Sequence, residues 1–575
     1  MRLLFTGRVI RASRKTVVCA IEPLRRNSTN AAVSETPEPP SGPVLRRVRH
    51  GHSTNFLQAI QAVDIHPEVD QSAPLHEDPF DAFLLEKQQP NKIINKDTDS
   101  GVVISSSPYK LDSTSNISSS ILKLLDRRLY TSPDHPISIT RKLIQSVFSQ
   151  PSYQHYIATN PVVTTAANFD VLGFAADHPG RSTTDTYYVN KDKVLRTHTS
   201  AHEPAAFQAM TVPDSAYGYT ICADVFRRDS IDRSHFPVFH QMEGARLWRR
   251  SKTDDQGLPI SLYQGMNRRI DIVKEGVKAL GQTPVDAEDP NPAFHDERNP
   301  KQIEHHHQEV RLMAAHLKRS LEILIAKVFD AAKEAGVASG HLKANVVEEP
   351  LKVRWVEAYF PFTSPSWELE VHWQGEWLEL LGCGIVQQQI LHNAGVGDRM
   401  GWAWGLGVER LAMLLFGIPD IRLFWSEDPR FLSQFQRDKI TRYKPFSKYP
   451  ACYKDVAFWI DTSPAAASPL SEPRRGSSGV AASAGGDATK ASPAEIQPKA
   501  FHENDVMEIV RDVAGALAED VKLVDEFLHS RSERKSLCYR INYRSLERTL
   551  TNEEANRLHE EIRARLECDL GLELR

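Results

Sequence analysis

The segment GWAWGLGVERLAMLLFG (401–417) constrains this chain more than any other. Gly401, Gly405 and Gly407 punctuate what reads as a strand, where they let a ligand approach the backbone closely. Glu409 and Arg410 follow at once and open an apolar helix, closed by Gly417 and Pro419. Arg410 therefore falls in a first helical turn, where the dipole and its own charge both favour a phosphate. A glycine-rich strand alone says little. Joined directly to this helix, it points to a sheet whose strand end holds an anionic ligand.

Other strands surround it in sequence. PVVTTAANFDVL (161–172) and TYYVN (186–190) are rich in β-formers, and strands return over 352–391. There Val371, Trp373, Trp377, Leu378, Leu380 and Leu381 flank a turn at Gly375. Spacing of Val310, Met313, Ala314, Leu317, Leu321, Leu324, Ile325 and Val328 predicts a long helix over about 302–335. Shorter helices are expected near 121–125 and 139–148. The stretch 251–305 is polar and reads as a surface insertion. This order suggests an α+β fold, an antiparallel sheet flanked by helices, rather than alternating βαβ units.

Two composition breaks divide the chain. Residues 31–118 make poor core material and read as a variable, largely disordered extension, with ETPEPPSGP (35–43) as a linker signal. A Ser-, Ala- and Gly-rich run over 462–500 reads as a disordered insertion. It splits a strand (449–460) from a helix (506–517), two strands (521–528, 536–544) and a final helix (552–566), an order that is ferredoxin-like. The expected domains are 119–445 and 446–575.

With 575 residues there is room for both. A net charge of −4 confines any nucleic-acid contact to local basic patches. The six cysteines are scattered without a C-x-x-C, which argues against a disulfide framework and a cysteine-rich zinc site. No run approaches the ~18 apolar residues of a membrane span. From Met1 to Ala20 there is no acidic residue, while Arg2, Arg8, Arg11, Arg14 and Lys15 alternate with apolar side chains. Residues 1–30 thus read as a mitochondrial transit peptide, with the matrix as the destination, rather than as a disordered basic tail, the alternative that the same composition leaves open.

Three more segments carry chemistry. In VLRTHTSAHE (194–203), His198 and His202 are spaced as metal ligands can be, but Glu203 lies outside them and no third ligand is apparent. Thr199 or Ser200 could cap a helix, or the segment could form a polar ledge for a small substrate. In ADVFRRDSIDRSHFPVFHQMEGARLW (223–248), Arg227 sits beside a charged loop, where its fork of donors suits a phosphate. Gln241 and Glu243 flank Met242 and share one strand face, either a solvated sheet face or an acid and an amide that hold an ammonium group. In YFPFTSPSWELEV (359–371), Phe360 and Phe362 face the same way, as core or as a slot for an aromatic ring. Glu368, Glu370 and Glu379 add carboxylates suited to Mg²⁺ and ATP. The three histidines 305–307 diverge on a helix and do not suit one metal. In LCYRINYR (537–544), Arg540, Asn542 and Arg544 share a face, opposite Tyr539, Ile541 and Tyr543, that suits RNA or is simply solvated.

Together THTSAH, DVFRRD, FHQMEG, YFPFT, GEWLELLGCG and GWAWGLGVERLAMLLFG resemble the motifs of class II aminoacyl-tRNA synthetases, and specifically single-chain phenylalanyl-tRNA synthetases of the mitochondrial type. The resemblance runs from about 120 to 445, and the tail from 446 resembles that family's anticodon-binding domain. It implies activation of L-phenylalanine with ATP and Mg²⁺, then transfer to the terminal adenosine of mitochondrial tRNA(Phe), by a monomer. Arg227 resembles the arginine that grips the α-phosphate and Arg410 the one on the γ-phosphate. Ser200, Ala201, His202, Glu203, Gln241, Met242 and Glu243 fall at amino-acid-binding positions. Ser234, His235 and Phe236 match the loop that contacts ATP and the acceptor end. Phe360 and Phe362 match the aromatic wall, Glu379 a metal-binding carboxylate, and Trp404 a substrate contact where relatives often have Phe. An apolar slot rejects an added hydroxyl only ~10²-fold, so some charging of tyrosine is expected. Two rival readings remain at this point: an inactive paralogue that binds RNA, and a metal hydrolase built on His198 and His202.

Overall fold

In Val238–Arg249 successive side chains point to two different cores, which is how this chain builds a sheet buried on both faces. Val238, Met242 and Trp248 enter the main core, while Ala245 and Leu247 enter a smaller one. The computed structural model describes residues 66–67, 92–94, 101–211, 217–254, 256–282, 284–340, 351–373, 376–446, 449–460, 501–529 and 534–575. The expected leader (1–30), the insertion 462–500 and the turn at Gly375 lie outside them.

Nine strands form the central sheet: β1 His66–Pro67, β2 Tyr153–Ile157, β3 Gly218–Phe226, β4 Val238–Arg249, β5 Ala287–Glu288, β6 Val353–Phe360, β7 Thr363–Trp373, β8 Glu376–Val386 and β9 Arg399–Gly407. Their spatial order is β1-β2-β3-β4-β9-β8-β7-β6-β5. The centre is antiparallel, but β2 runs parallel to β3 and β5 parallel to β6, so the sheet is mixed rather than wholly antiparallel. Helices α1 (Pro136–Gln145), α2 (Leu262–Ala279), α3 (His307–Ala338) and α4 (Val408–Phe416) flank it.

Helix α3 starts where His306 caps it and Glu309 closes a capping box. Its Val310, Met313, Leu317, Leu321, Leu324, Ile325 and Val328 are buried in the main core. Each such side chain contributes roughly 1.5–3 kcal/mol of burial. The polar insertion is not simply a surface excursion. Ser261 and Gln264 form a capping box that starts α2, and α2 buries Ile270 and Val273. Residues 101–110, inside the expected extension, form two paired strands, with Val102, Val103 and Ile104 buried.

The C-terminal part has its own core and the order β10 (Cys452–Ile460), α5 (Glu503–Ala514), β11 (Ala518–Leu528), β12 (Lys535–Tyr543), α6 (Asn552–Leu570) and β13 (Glu573–Leu574). Spatial order β11-β12-β10-β13 with both helices packed together is ferredoxin-like, as the sequence pattern predicts. It is docked on the loop that follows Arg227. Ile231 inserts into the C-terminal core, and its carbonyl accepts the Val521 N–H at 3.0 Å. Arg228 pairs with Asp505 at 3.1 Å, and the Arg511 guanidinium donates to the Asp229 carbonyl.

Candidate active site

Alternation on the central strands creates the site. Odd-numbered residues of β4 (Phe239, Gln241, Glu243) and of β9 (Ala403, Gly405, Gly407) line one cavity of about 1030 Å³. Phe360 and Phe362 form its aromatic side, their rings stacked at 5.9 Å. Gly382 makes room for them, since a Cβ there would meet the Phe360 ring at 2.6 Å. Phe362 adjoins Phe174, which stacks on His198 at 5.5 Å.

The amino-acid end is acidic and buried. Thr199 and Ser200 donate hydroxyl hydrogen bonds to the same oxygen of Glu243, at 2.8 and 2.9 Å. Neither hydroxyl caps a helix. Glu203 also lines the cavity, and among the described residues one oxygen of each carboxylate lacks a hydrogen-bond partner. Burial and then the charge of Glu243 push the Glu203 pKa well up. Burial raises that of Glu243 too, against hydrogen bonds from Thr199, Ser200 and Tyr219. Two adjoining buried carboxylates call for a cation. Burial, then the nearby Arg227 charge, lower the His198 pKa to about 3, so that ring is neutral.

The other end is cationic. Arg227 lies just past β3 and donates from Nε to the Thr197 carbonyl at 2.9 Å, leaving its two Nη groups for a ligand. Arg410, in the first turn of α4, donates to the Glu379 carbonyl at 2.8 Å, and the Glu379 carboxylate lies 4.0 Å away. Asp232 shapes the adjoining loop by accepting the N–H groups of Ser234 and His235 at 2.7 and 2.9 Å. Its hydrogen bond with His235 raises that imidazole's pKa. Phe236 stacks on Trp425 at 5.4 Å.

The structure thus brings Ser200, Glu203, Arg227, Ser234, His235, Phe236, Gln241, Glu243, Phe360, Phe362, Glu379 and Arg410 to one cavity. Four expected contacts stand differently. Met242 points to the main core, opposite Gln241 and Glu243. Ala201 packs with Val163, Phe169 and Val194. His202 turns away to face the Arg196 guanidinium at 2.9 Å, because the 3-10 turn Thr199–His202 separates it from His198. Trp404 borders the cavity only with its strand: the indole lies on the other face, stacked on Phe148 at 5.0 Å and filling the space above Gly244. Residues missed from the sequence include Phe174, Ala403 and His502–Asn504 of the docked domain. His198 was visible in its motif, but nothing there distinguished a wall residue from a ligand.

Two family models match: the class II core domain of tRNA synthetases (F) over 121–256 and 319–435, and the ferredoxin-fold anticodon binding domain over 495–575. The chain is 44% identical to the mitochondrial phenylalanine–tRNA ligase of Saccharomyces cerevisiae, over 82% of this chain and 95% of that one. It belongs to the family of mitochondrial phenylalanine–tRNA ligases. The ligases of Dictyostelium discoideum and Mus musculus are each 36% identical to it, over 80% and 81% of this chain and 89% and 87% of theirs.

In this ligase's C-terminal domain, the expected RNA face is already engaged. Arg540 gives both Nε and Nη2 to Asp455 at 2.7 Å. Asn542 is buried and donates to Glu519 at 2.6 Å, and Arg544 reaches the same carboxylate at 3.2 Å. Glu519 also meets Arg233 and Arg422 from the catalytic part, at 3.1 and 3.5 Å. Asn542 and Arg544 therefore serve the junction between domains, which short-range alternation could not reveal.

Proposed function

We propose that the chain activates L-phenylalanine with ATP and charges mitochondrial tRNA(Phe), in the mitochondrial matrix and as a monomer. The observation that carries this reading is the polarity of one cavity. Buried Glu203 and Glu243 lie at one end, beside the phenylalanine-lined slot, and Arg227 and Arg410 at the other. An amino acid with an aromatic side chain matches the first end and a nucleotide triphosphate the second.

In this reading the substrate ammonium sits on Glu243, Glu203 and Gln241, and its ring lies against Phe360 and Phe362. The carboxylate then attacks the α-phosphorus. Arg227 stabilises the charge that develops there, and Arg410 holds the departing pyrophosphate end. The products are phenylalanyl-adenylate and pyrophosphate, and a terminal adenosine hydroxyl of tRNA next displaces AMP. No protein nucleophile is required. Glu379 supplies a single, half-exposed carboxylate on the cavity wall. That suits Mg²⁺, which keeps waters and phosphate oxygens as most of its ligands. Bound there with ATP, it would neutralise phosphate charge.

The C-terminal domain is proposed to bind the tRNA, with Arg540 as the one of its three named residues still exposed on the outer sheet face. Phenylalanine-dependent ATP–pyrophosphate exchange, followed by charging of mitochondrial tRNA with phenylalanine and tyrosine in competition, tests the whole reading. Exchange and phenylalanine charging with a minor tyrosine product are expected. RNA binding without exchange would leave the inactive paralogue instead.

A further inference from the structure

The cavity's substrate-facing arms are joined behind the sheet by a residue that touches no part of the cavity. His240 is fully buried on the core face of β4, between Phe239 and Gln241. The β4–β9 ladder stops at Gln241 and Gly407, so the His240 N–H has no strand partner on that side. Glu409 takes its place. Both carboxylate oxygens accept the His240 N–H at 2.9 Å, and Oε1 lies 2.6 Å from Nδ1. On the ring's far side, Nε2 stands 3.3 Å from the carboxylate of Asp224, its cross-strand partner on β3, as an ion pair rather than an aligned hydrogen bond. Trp425 stacks on the ring at 5.6 Å, and Tyr130 closes the other side at 5.7 Å. Two buried carboxylates facing both ring nitrogens call for an imidazolium. Burial alone would lower its pKa, but the Glu409 and Asp224 carboxylates that face the ring outweigh burial and raise it to about 9.

Each partner leads into a phosphate-facing residue. Asp224 is on β3, three residues before Arg227, and Glu409 directly precedes Arg410. His240 itself precedes Gln241. We propose that His240 is a positioning residue: a buried imidazolium clamp that fixes β3, β4 and the start of α4 so that Arg227 and Arg410 face the same triphosphate. The inference rests on the phosphate-gripping roles proposed for those two arginines.

The test is ATP–pyrophosphate exchange by full-length His240→Gln, with KM for ATP and for phenylalanine measured separately and folding followed by thermal unfolding. The expected result is a fall in kcat of at least about tenfold with a raised KM for ATP. KM for phenylalanine should rise less than KM for ATP, because Gln241 is the one amino-acid contact beside the clamp, while the ring slot and Glu203 lie away from it. Asp224→Asn retains a similar shape and should show the same split more weakly. It serves as the readout should His240→Gln fail to fold. Unchanged kcat in either folded variant overturns the clamp, as does a parallel loss of affinity for both substrates. Absence of exchange in the unaltered chain would instead overturn the underlying reading, and the clamp with it.

Discussion

Arg227 and Arg410 form one pair of arginines legible in the sequence, and Arg540 and Arg544 another, yet the fold uses them in opposite ways. In the catalytic part each arginine makes one hydrogen bond, to a carbonyl, and keeps donors over a cavity, the Glu379 carboxylate approaching Arg410 only to 4.0 Å. In the C-terminal part both are held by carboxylates, Asp455 and Glu519. Alternation along a strand tells which face a side chain takes. It does not tell whether a carboxylate from a distant segment will meet it there. A cation held by a neutral carbonyl is available to a phosphate, whereas one fixed by a carboxylate is mostly architecture.

Removing the cavity arginine should have the largest effect. Arg227→Ala is expected to reduce exchange by about 10²–10³-fold, as removal of one preorganised transition-state donor does, with little loss of thermal stability. Should Arg227→Ala cost no more exchange activity than Arg540→Ala, the contrast between the two pairs would collapse.

Glu243 sharpens the contrast from the acidic end. Its folded-state pKa is raised, chiefly by burial, above the unfolded value. The folded protein therefore holds that proton more tightly. Stability is greatest below the unfolded carboxylate range and is lost as pH rises through the folded value. Glu243→Gln removes this loss, so it should unfold at higher temperature than the unaltered chain near about pH 8, with the gap closing near about pH 4. The same substitution should raise KM for phenylalanine about 10²-fold by removing the charge opposite the ammonium. Thermal unfolding across pH, paired with exchange kinetics, reads both. A destabilised Gln variant at pH 8 would show that Glu243 is already satisfied in the empty site.

Much of this was legible because the main sheet obeys a period of two. Gln241 and Glu243 followed directly from it, and so did the buried Tyr539, Ile541 and Tyr543. The same rule excludes Met242 from the cavity. It also puts Trp404 on the face opposite Gly405 and Gly407, although family likeness pointed the other way. Ala201 and His202 sit in a 3-10 turn, where no such period applies. His502–Asn504 reach the cavity only because a separate domain docks there, and Glu519 gathers arginines from three segments. Nothing local in a sequence encodes such meetings. Residues 101–110 escaped notice for another reason: strands of four residues with only Val102, Val103 and Ile104 buried give too short a pattern.

Trp404→Phe turns the face assignment into a smaller prediction. The indole fills space between Phe148 and Gly244 in the core. Its truncation should cost about 1–3 kcal/mol in denaturant unfolding. KM for phenylalanine should stay within about twofold, because the altered atoms face away from the slot. A large change in KM with unchanged stability would return Trp404 to the substrate contacts.

The smallest effect is expected at Arg540. Its partner Asp455 and its own guanidinium are each close to half exposed, at 42% and 48% of the side chain, so water and salt screen the pair. Arg540→Ala should leave the unfolding midpoint nearly unchanged, and exchange, which needs no tRNA, should be unaltered. Charging is the discriminating assay. If Arg540 meets a phosphate on the outer sheet face, its loss should raise KM for tRNA a few-fold and flatten the salt dependence of binding. Asp455→Ala should do the reverse, because it releases the guanidinium from its carboxylate and leaves it for RNA. Equal charging by both variants would assign the pair to architecture alone, alongside Glu519 and its arginines, and would move tRNA recognition to another part of the domain.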